Sequence, residues 1–590
     1  MKATFDNGDI LLSGRYFEKS VYHVSNDCMS AVFDGLGAVP SVALGGKQAE
    51  DTEAYLVLTL NGCPWDVLSP KTVRMAGRKQ TFETTDGGRT VAVTLFLDKH
   101  LPGYFLTAQF TSQSPADVLE IGICDRSHLF GTEDRDVVPY QIKPVSAAVS
   151  APSRYVPENG MLSASLAPGG KVGFFMGFDV SPETARDAAE KYETYLADCD
   201  AEIRAVVFPE GLSETEKAMY RSAWFCAYEN YKEAGDYRGF MAGHRYLYPM
   251  RTYYRDSYFT VLPLYPSHPE LIRAQVLTLA RGIGEDGNCP SAVRADYSAH
   301  WGNHFDSPSF LVMMAHDYVK YTGDRALLSE KLPGGRTLHE TLTAALCTLR
   351  THADDTGLLF KAGKYNKRDW ADEVNREGYV TYDEILYARA HDCMAYLSDL
   401  VGDGKGDFYR AEAKKIKKAI NDLLFDESLG YYVNCKSAES VQDNLSIDTV
   451  FAVLFGIAQG ERARTLLEKM EKILEVRNHP EWDMPDFGTM CVYPFYKGHD
   501  SATNKSSQPF YYHNGANWPH LTSMYALAKR KHGMEWRGVL ENFFTYGIGH
   551  GNYTPVEFYS APRPDGSLLQ AWCADAAFVL DEKLSDTFFG

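Results

Sequence analysis

Four short stretches of this chain crowd carboxylate, guanidinium and amide groups against aromatic rings, where connecting segments are ordinarily plain. In Tyr253-Tyr254-Arg255-Asp256-Ser257-Tyr258-Phe259 an Arg and an Asp stand side by side. One donates and the other accepts, the pairing that grips vicinal hydroxyls; the competing reading is a structural ion pair at a helix start. Arg368-Asp369-Trp370-Ala371-Asp372-Glu373 sets three carboxylates around one Trp. Crowded carboxylates repel and an apolar neighbour desolvates, so one of them can keep its proton near neutral pH, as a general acid must. The alternative is a charge cluster at a helix N-terminus or on the surface. Tyr511-Tyr512-His513-Asn514-Gly515-Ala516-Asn517-Trp518-Pro519 combines a Gly that permits close backbone approach with a Trp face for stacking, or else is a packed turn before a helix. Finally, Thr554-Pro555-Val556-Glu557-Phe558-Tyr559 and Gln570-Ala571-Trp572 place a lone Glu among apolar residues. That is costly unless the carboxylate is partnered or used.

These groups need rigid elements to hold them, and the hydrophobic pattern supplies two kinds. Up to about residue 180 the period is two, as in Tyr55–Leu60, Thr90–Leu97, Tyr104–Phe110 and Val118–Cys124, with turn clusters such as Asp86-Gly87-Gly88 between runs. Such alternation predicts an antiparallel β-sandwich or barrel. Ser181-Pro182-Glu183 opens a polar helix that links the halves over 181–210. From 211 to 590 the period is 3.6. Ser213–Glu216, Ser267–Glu270 and Thr381–Glu384 read as capping boxes ahead of amphipathic faces. Further helices are expected near 307–321, 337–353, 405–424, 445–457, 459–474, 517–532 and 569–582. Helix pairs in this number can close into an (α/α)6 barrel, a toroid whose long loops at one end build a cleft.

The chain has 590 residues, of which 45% are hydrophobic, 23% charged and 13% aromatic. Its 59 basic and 78 acidic side chains leave a net charge of −19, which disfavours nucleic acid and anionic membrane surfaces as partners. No apolar run approaches the roughly 18 residues of a membrane span. The N-terminus lacks a signal-peptide pattern, and the 11 Cys are scattered with no CxxC. The expectation is a cytoplasmic protein with reduced thiols. Gly282-Ile283-Gly284-Glu285-Asp286-Gly287 matches a dinucleotide fingerprint in letters, but it follows a helix and carries two carboxylates where pyrophosphate would sit. His300 and His304 are four apart, with no third ligand at metal-site spacing. No GxSxG elbow or Walker A sequence occurs. Neither a metal nor an organic cofactor is expected.

In their order along residues 210–590, the four stretches resemble the inverting glycosidases built on an (α/α)6 toroid. The pattern is similar to the glucosidase domain of glycogen-debranching enzymes, with glucosidase-I-type enzymes, trehalases and α-L-rhamnosidases nearby. Arg255-Asp256-Ser257-Tyr258 stands for that family's Arg-Asp-Thr-Phe-like segment, with Ser-Tyr in place of Thr-Phe. Asp306-Ser307-Pro308 and Lys320–Asp324 match its Asp-led helix and following KYTGD. Trp370-Ala371-Asp372 matches its acid-bearing Trp-x-Asp. Tyr512–Pro519 matches Tyr-His-x-Gly-x-x-Trp-Pro, and Glu557 with Gln570-Ala571-Trp572 matches its base and Gln-Ala-Trp. The resemblance implies hydrolysis of a terminal sugar, an α-glucoside foremost, from an oligosaccharide or glycoside with inversion. Asp372 would be the acid, with neighbouring Asp369 or Glu373 as alternatives, and Glu557 the base. Arg255, Asp256, Asp306 and Asn514 would hold hydroxyls, and Trp370 and Trp518 would wall the sugar. Glu373, Tyr512, His513, Gln570 and Trp572 complete the expected substrate-binding set. A phosphorylase or rhamnosidase on the same fold, a polysaccharide lyase and a non-catalytic glycan-binding protein are the competing readings.

Overall fold

The structure is a computed structural model, described here for residues 2–14, 21–34, 39, 41–44, 47–50, 54–65, 71–125, 145–150, 153–156, 161–246, 249–302, 304–498, 500 and 505–589. The chain divides into two compact units. One holds Met1–Gly235, Gly243–Met250 and Gly551–Pro555; the other holds Asp236–Ala242, Arg251–His550 and Val556–Gly590.

The first unit is rich in antiparallel strands. Its largest sheet has eight, in spatial order Lys2–Asp6, Asp9–Gly14, Lys71–Ala76, Lys79–Asp86, Arg89–Phe96, Gly103–Thr111, Lys171–Phe178 and Val145–Val149. Sheets of five and four strands accompany it. The period-two pattern is why: in Arg89–Phe96 the side chains of Val91, Val93 and Leu95 are all fully buried, while Ala92 and Thr94 between them are half-buried. Gly87 and Gly88 both have positive φ, 54° and 80°. That is the two-residue hairpin turn matching strand twist, and it fixes Asp86 opposite Arg89. The expected helix at Ser181 forms over Pro182–Glu190, capped by the Ser181 hydroxyl. Glu214–Glu229 follows with its capping box complete.

The second unit is helical, with helices at Tyr254–Val261, Pro269–Arg281, Ser307–Thr322, Leu338–Arg350, Thr381–Val401, Gly406–Leu423, Gly460–Leu474, Pro519–Lys531 and Arg537–Gly549. Thr381–Val401 is buried along most of its length and packs against both Gly406–Leu423 and Ser307–Thr322. Three details differ from the sequence expectation. The boxes at Ser267 and Thr381 do not form: Pro269–Arg281 has no side-chain cap, the Thr381 hydroxyl donates to the Val433 carbonyl, and Glu384 accepts from the Leu359 amide. Tertiary partners outbid local ones there. The helix Arg537–Gly549 is unexpected from its Gly- and aromatic-rich sequence, and forms because Val539, Leu540, Phe543 and Phe544 bury one face. The spans 445–457 and 569–582 are broken into short 3-10 and α turns. Gly282, the first glycine of the dinucleotide look-alike, caps Pro269–Arg281.

Among the described residues no helix is long and apolar enough to cross a membrane. Ten of the cysteines, Cys124 apart, are in no disulfide; seven of them are buried, and Cys63 and Cys347 are exposed.

Candidate active site

The first stretch starts in the strand Arg251–Tyr253, which runs directly into the helix Tyr254–Val261. Arg255 and Asp256 therefore sit in the first helical turn. Arg255 Nη1 donates to Asp306 Oδ2 at 3.0 Å, and its Nη2 lies 3.7 Å from Asp256. Asp306 is fully buried and also accepts from His304 Nδ1 at 2.9 Å. Burial alone would raise its carboxyl, but the Arg255 charge and the His304 bond hold it below the ordinary value. Asp256 lacks such compensation. Its Oδ1 has a long contact from Gln570 Nε2, 3.4 Å, and its buried Oδ2 has no hydrogen-bond partner. Burial pushes it up to about 6 against the pull of Arg255.

The second stretch forms a loop whose two ends have opposite characters. Asp369 is buried between Lys361 Nζ and Arg376 Nη2 and caps the Ala371 amide at 2.8 Å. Those two cations overcome the burial penalty and hold it well below the carboxylate range. Arg376 continues to Asp448 at 3.0 Å, and Asp448 accepts from Trp370 Nε1 at 2.6 Å. Lys361 continues to Asp383 at 2.9 Å. The result is a dry ionic lattice that fixes the loop from below. Asp372, three residues on, is only half-buried. Burial raises it to about 7; Arg255 opposes this, while Glu373, Glu557 and Asp369 add to it through their negative charge.

The third and fourth stretches are stitched together by backbone. Asn517 and Tyr559 exchange two N–H···O bonds of 2.8 Å, and the Tyr511 hydroxyl donates to Asp565 at 2.7 Å. Glu557 lies in the hairpin Val556–Tyr559 with Pro564–Leu568, at a shift of register between Val556 and Phe558. The second strand holds an extra residue there, with Gly566 at φ +94°. The bulge frees the Ser567 amide from the ladder, and it donates to Glu557 Oε2 at 2.8 Å. A Cβ on Gly566 would lie 2.5 Å from that same oxygen.

Charge links the stretches. The Tyr512 phenol is pushed well up by burial and by Asp372, Glu557 and Glu373, with Arg255 opposing. These five residues thus share one electrostatic neighbourhood, although 185 positions separate Asp372 from Glu557.

Tyr512 apart, the aromatic and amide residues of the expected set are buried. Trp370, Trp518 and Trp572 are each only 3% exposed. They form one cluster with His513 and His520: Trp370–Trp518 5.6 Å, Trp370–His513 5.1 Å, Trp518–Trp572 5.5 Å and His520–Trp572 4.5 Å between centroids. They back the loops instead of presenting open faces. Burial drives both imidazoles well below their ordinary value, so both are neutral. Asn514 is fully buried; its Oδ1 accepts from the Tyr496 amide at 2.7 Å, and its buried Nδ2 has no hydrogen-bond partner. Asp306 is committed to protein partners. Half-buried Arg255, Asp372, Glu373, Tyr512 and Glu557 are the residues of the predicted set that keep solvent access. The sequence reading missed Lys361, Arg376 and Asp448; a basic residue spaced to answer each acid is the only signal, and it is faint. His300 and His304 do not share a helix: His300 is in a short strand and His304 bonds Asp306. Among the described residues no group of three His, Cys, Asp or Glu is placed to hold a metal ion.

Residues 240–576 match the sequence pattern of the family described as amylo-alpha-1,6-glucosidase. The chain belongs to that family. It is a glycosidase, and its substrate is a carbohydrate. A comparison with curated protein sequences finds no match. Among solved structures, a bacterial glucoamylase complexed with acarbose aligns over 98% of this chain and 98% of its own, at 11% identity and a TM-score of 0.63. A rhamnosidase from Klebsiella oxytoca with rhamnose bound aligns over 95% and 89%, at 14% identity and a TM-score of 0.50. At these identities the likeness is one of fold. It runs along nearly the whole chain and includes the β-rich unit of this glycosidase.

Proposed function

We propose that this glycosidase removes a terminal sugar, an α-glucoside foremost, with inversion at the anomeric carbon. Asp372 is the general acid and Glu557 the general base, at the cleft end of an (α/α)6 toroid that follows an N-terminal β-sandwich. The observation that carries the reading is the contrast within one loop. Asp369 is pinned as an anion by Lys361 and Arg376, whereas Asp372 is raised to about 7 among three other carboxylates. Near neutral pH Asp372 retains a proton to give, and Asp369 does not. Asp372 gives that proton to the glycosidic oxygen as the bond to the anomeric carbon breaks. Water attacks that carbon from the opposite face and passes its proton to Glu557. The net change is addition of one water across the bond, and solvent exchange resets the two carboxyls.

Arg255 and Asp256 are the supporting groups that fit hydroxyl recognition, because Arg255 Nε and Asp256 Oδ2 are buried polar atoms without a hydrogen-bond partner. The family's name supports the glucoside choice over a rhamnoside. A hydrolase needs a base for its water and a phosphorylase does not, so an oriented Glu557 in the same neighbourhood favours hydrolysis. The test is a screen of aryl α-glycosides and α-1,6- and α-1,4-linked oligosaccharides, with proton NMR of the first-formed anomer and phosphate as a variable. Release of a β-anomer without phosphate is expected. A first-formed α-anomer overturns inversion, and phosphate-dependent release of a sugar 1-phosphate overturns hydrolysis.

A further inference from the structure

The three strands Arg251–Tyr253, Ala292–Arg294 and Ala299–His300 form a small antiparallel sheet in which Tyr253 pairs with Ala292, and Ala292 with His300. Directly paired residues share a face. The middle residue is only an alanine, so the outer rings meet across it, with Tyr253 and His300 centroids 6.0 Å apart and edge-on. His300 in turn stacks on Trp301 at 5.0 Å with the rings 23° from parallel. A continuous aromatic row therefore runs from Tyr253, the residue before the helix that carries Arg255 and Asp256, to Trp301. At its inner end Tyr253 feels the charges of Asp256 and Asp372. Its outer end is about two strand spacings away, roughly 10 Å.

Trp301 is built unlike the other tryptophans. All eight lie among the described residues; Trp301 is 48% exposed, and the rest are buried or half-buried. Its backbone adopts φ +50°, a left-handed conformation costly for a bulky residue and retained mainly where function calls for it. Arg294 Nη2 lies 3.1 Å from His300 Nδ1 and anchors that imidazole. Burial, with Arg251 and Arg294 nearby, lowers His300 to about 4, so the ring is neutral across the working range. Other features carry less. The cavity of about 290 Å³ lined by Asp317, Lys320, Arg389 and Phe588 shows nothing that would select an occupant.

We propose that Trp301, supported by His300, is the platform on which the leaving-group part of the substrate stacks, the class of ligand being a neutral pyranose beyond the ring that is cleaved off. The inference rests on the glycosidase reading above. An exposed indole held flat presents the face that the C–H side of a pyranose prefers, and the row it ends begins at Tyr253, which feels the charge of the candidate acid Asp372.

The test compares wild type, Trp301→Ala and Trp301→Phe on α-glucosyl fluoride, whose leaving group is a single atom, and on isomaltotriose and maltotetraose. Binding of both oligosaccharides to the three proteins in a Glu557→Gln background is measured by calorimetry. Trp301→Ala should lose about tenfold in kcat/KM and in affinity on the oligosaccharides, the size of one truncated aromatic contact, and change less than about twofold on the fluoride. Trp301→Phe should recover most of the loss. Equal losses on fluoride and oligosaccharides, or none on either, overturn the platform while leaving hydrolysis standing. Oligosaccharide binding that Trp301→Ala weakens, in a wild type that cleaves nothing, supports the platform and overturns the hydrolase reading. A wild type that neither binds nor cleaves overturns both.

Discussion

Replacing Asp372 by Asn removes one ionisable oxygen and little volume, and should move activity and stability in opposite directions. An ordinary carboxyl at 3.8 is protonated about once in 1,600 molecules at pH 7, whereas one at about 7 is protonated in about half. Wild-type kcat/KM should therefore fall about tenfold per pH unit above pH 7, from loss of the protonated acid. Asp372→Asn should lower kcat by about 10²–10⁴ on a substrate with a sugar leaving group. It should lose far less on α-glucosyl fluoride, whose departing anion needs little protonation. Stability runs the other way. Between pH 4 and 7 the folded protein binds a proton at Asp372 that the unfolded chain has released, so this group's contribution worsens as pH rises through that window. A rise from 3.8 to about 7 corresponds to about 4 kcal/mol. Partial solvent access reduces this to roughly 2 kcal/mol. Asn carries no such penalty, so the variant should melt roughly 2–3 °C higher than wild type at pH 8 and equally at pH 4. Calorimetric scans at the two pH values and stopped assays on both substrates check this. An alkaline limb below pH 5.5, or an Asn variant that hydrolyses oligosaccharides like wild type, would refute the assignment.

Glu557→Gln should lower kcat by about 10²–10⁴ even on the fluoride, since water still needs a base there; equal turnover of variant and wild type on the fluoride speaks against that role. Gly566→Ala puts a methyl 2.5 Å from Glu557 Oε2 at a positive φ. It should cost about 10² in kcat with little change in KM, the effect of misplacing a catalytic group by about 1 Å; steady-state kinetics separate the two constants. Glu373→Gln removes a like charge that raises Asp372, so the alkaline limb of kcat/KM should move to lower pH; an unmoved or higher limb counts against the electrostatic account. Asp448→Ala strips Arg376 and Trp370 Nε1 of a shared buried acceptor. It should destabilise the fold by about 3–5 kcal/mol, visible as a lower melting temperature.

The elements were more legible than the contacts. A period of two needs only one buried face, so Val91, Val93 and Leu95 announce their strand locally; the 3.6 period does the same for Gly406–Leu423 and Gly460–Leu474. The two-residue ribbons of the helical unit, such as Tyr379–Val380 with Cys435–Lys436, are too short to show any period. Caps failed where a tertiary partner was stronger, as at Thr381. In the candidate site the sequence shows which residues are unusual for a loop but not which are wet. Trp370 and Trp518 look alike to composition whether they line a cleft or back it, and only burial separates them. Asp369 and Asp372 are equivalent letters until Lys361 and Arg376 arrive, one from eight residues before Asp369 and the other from seven after.

The way those cations are placed accounts for the contrast within the loop. Two cations around Asp369 make an anion tolerable in a dry environment, because each carboxylate oxygen meets a charged donor and the lattice carries on to Asp383 and Asp448. That lattice holds the backbone of Asp369–Ala371 and anchors Trp370, so Asp372 emerges in a fixed direction. Near Asp372 the only opposing cation among its leading electrostatic neighbours is Arg255, and Arg255 is already bonded to Asp306. A second cation at that point would ionise Asp372 and remove the proton a general acid must supply. Positive charge spent below the loop and withheld above it lets one short segment hold an anion as its anchor and a proton donor as its tip.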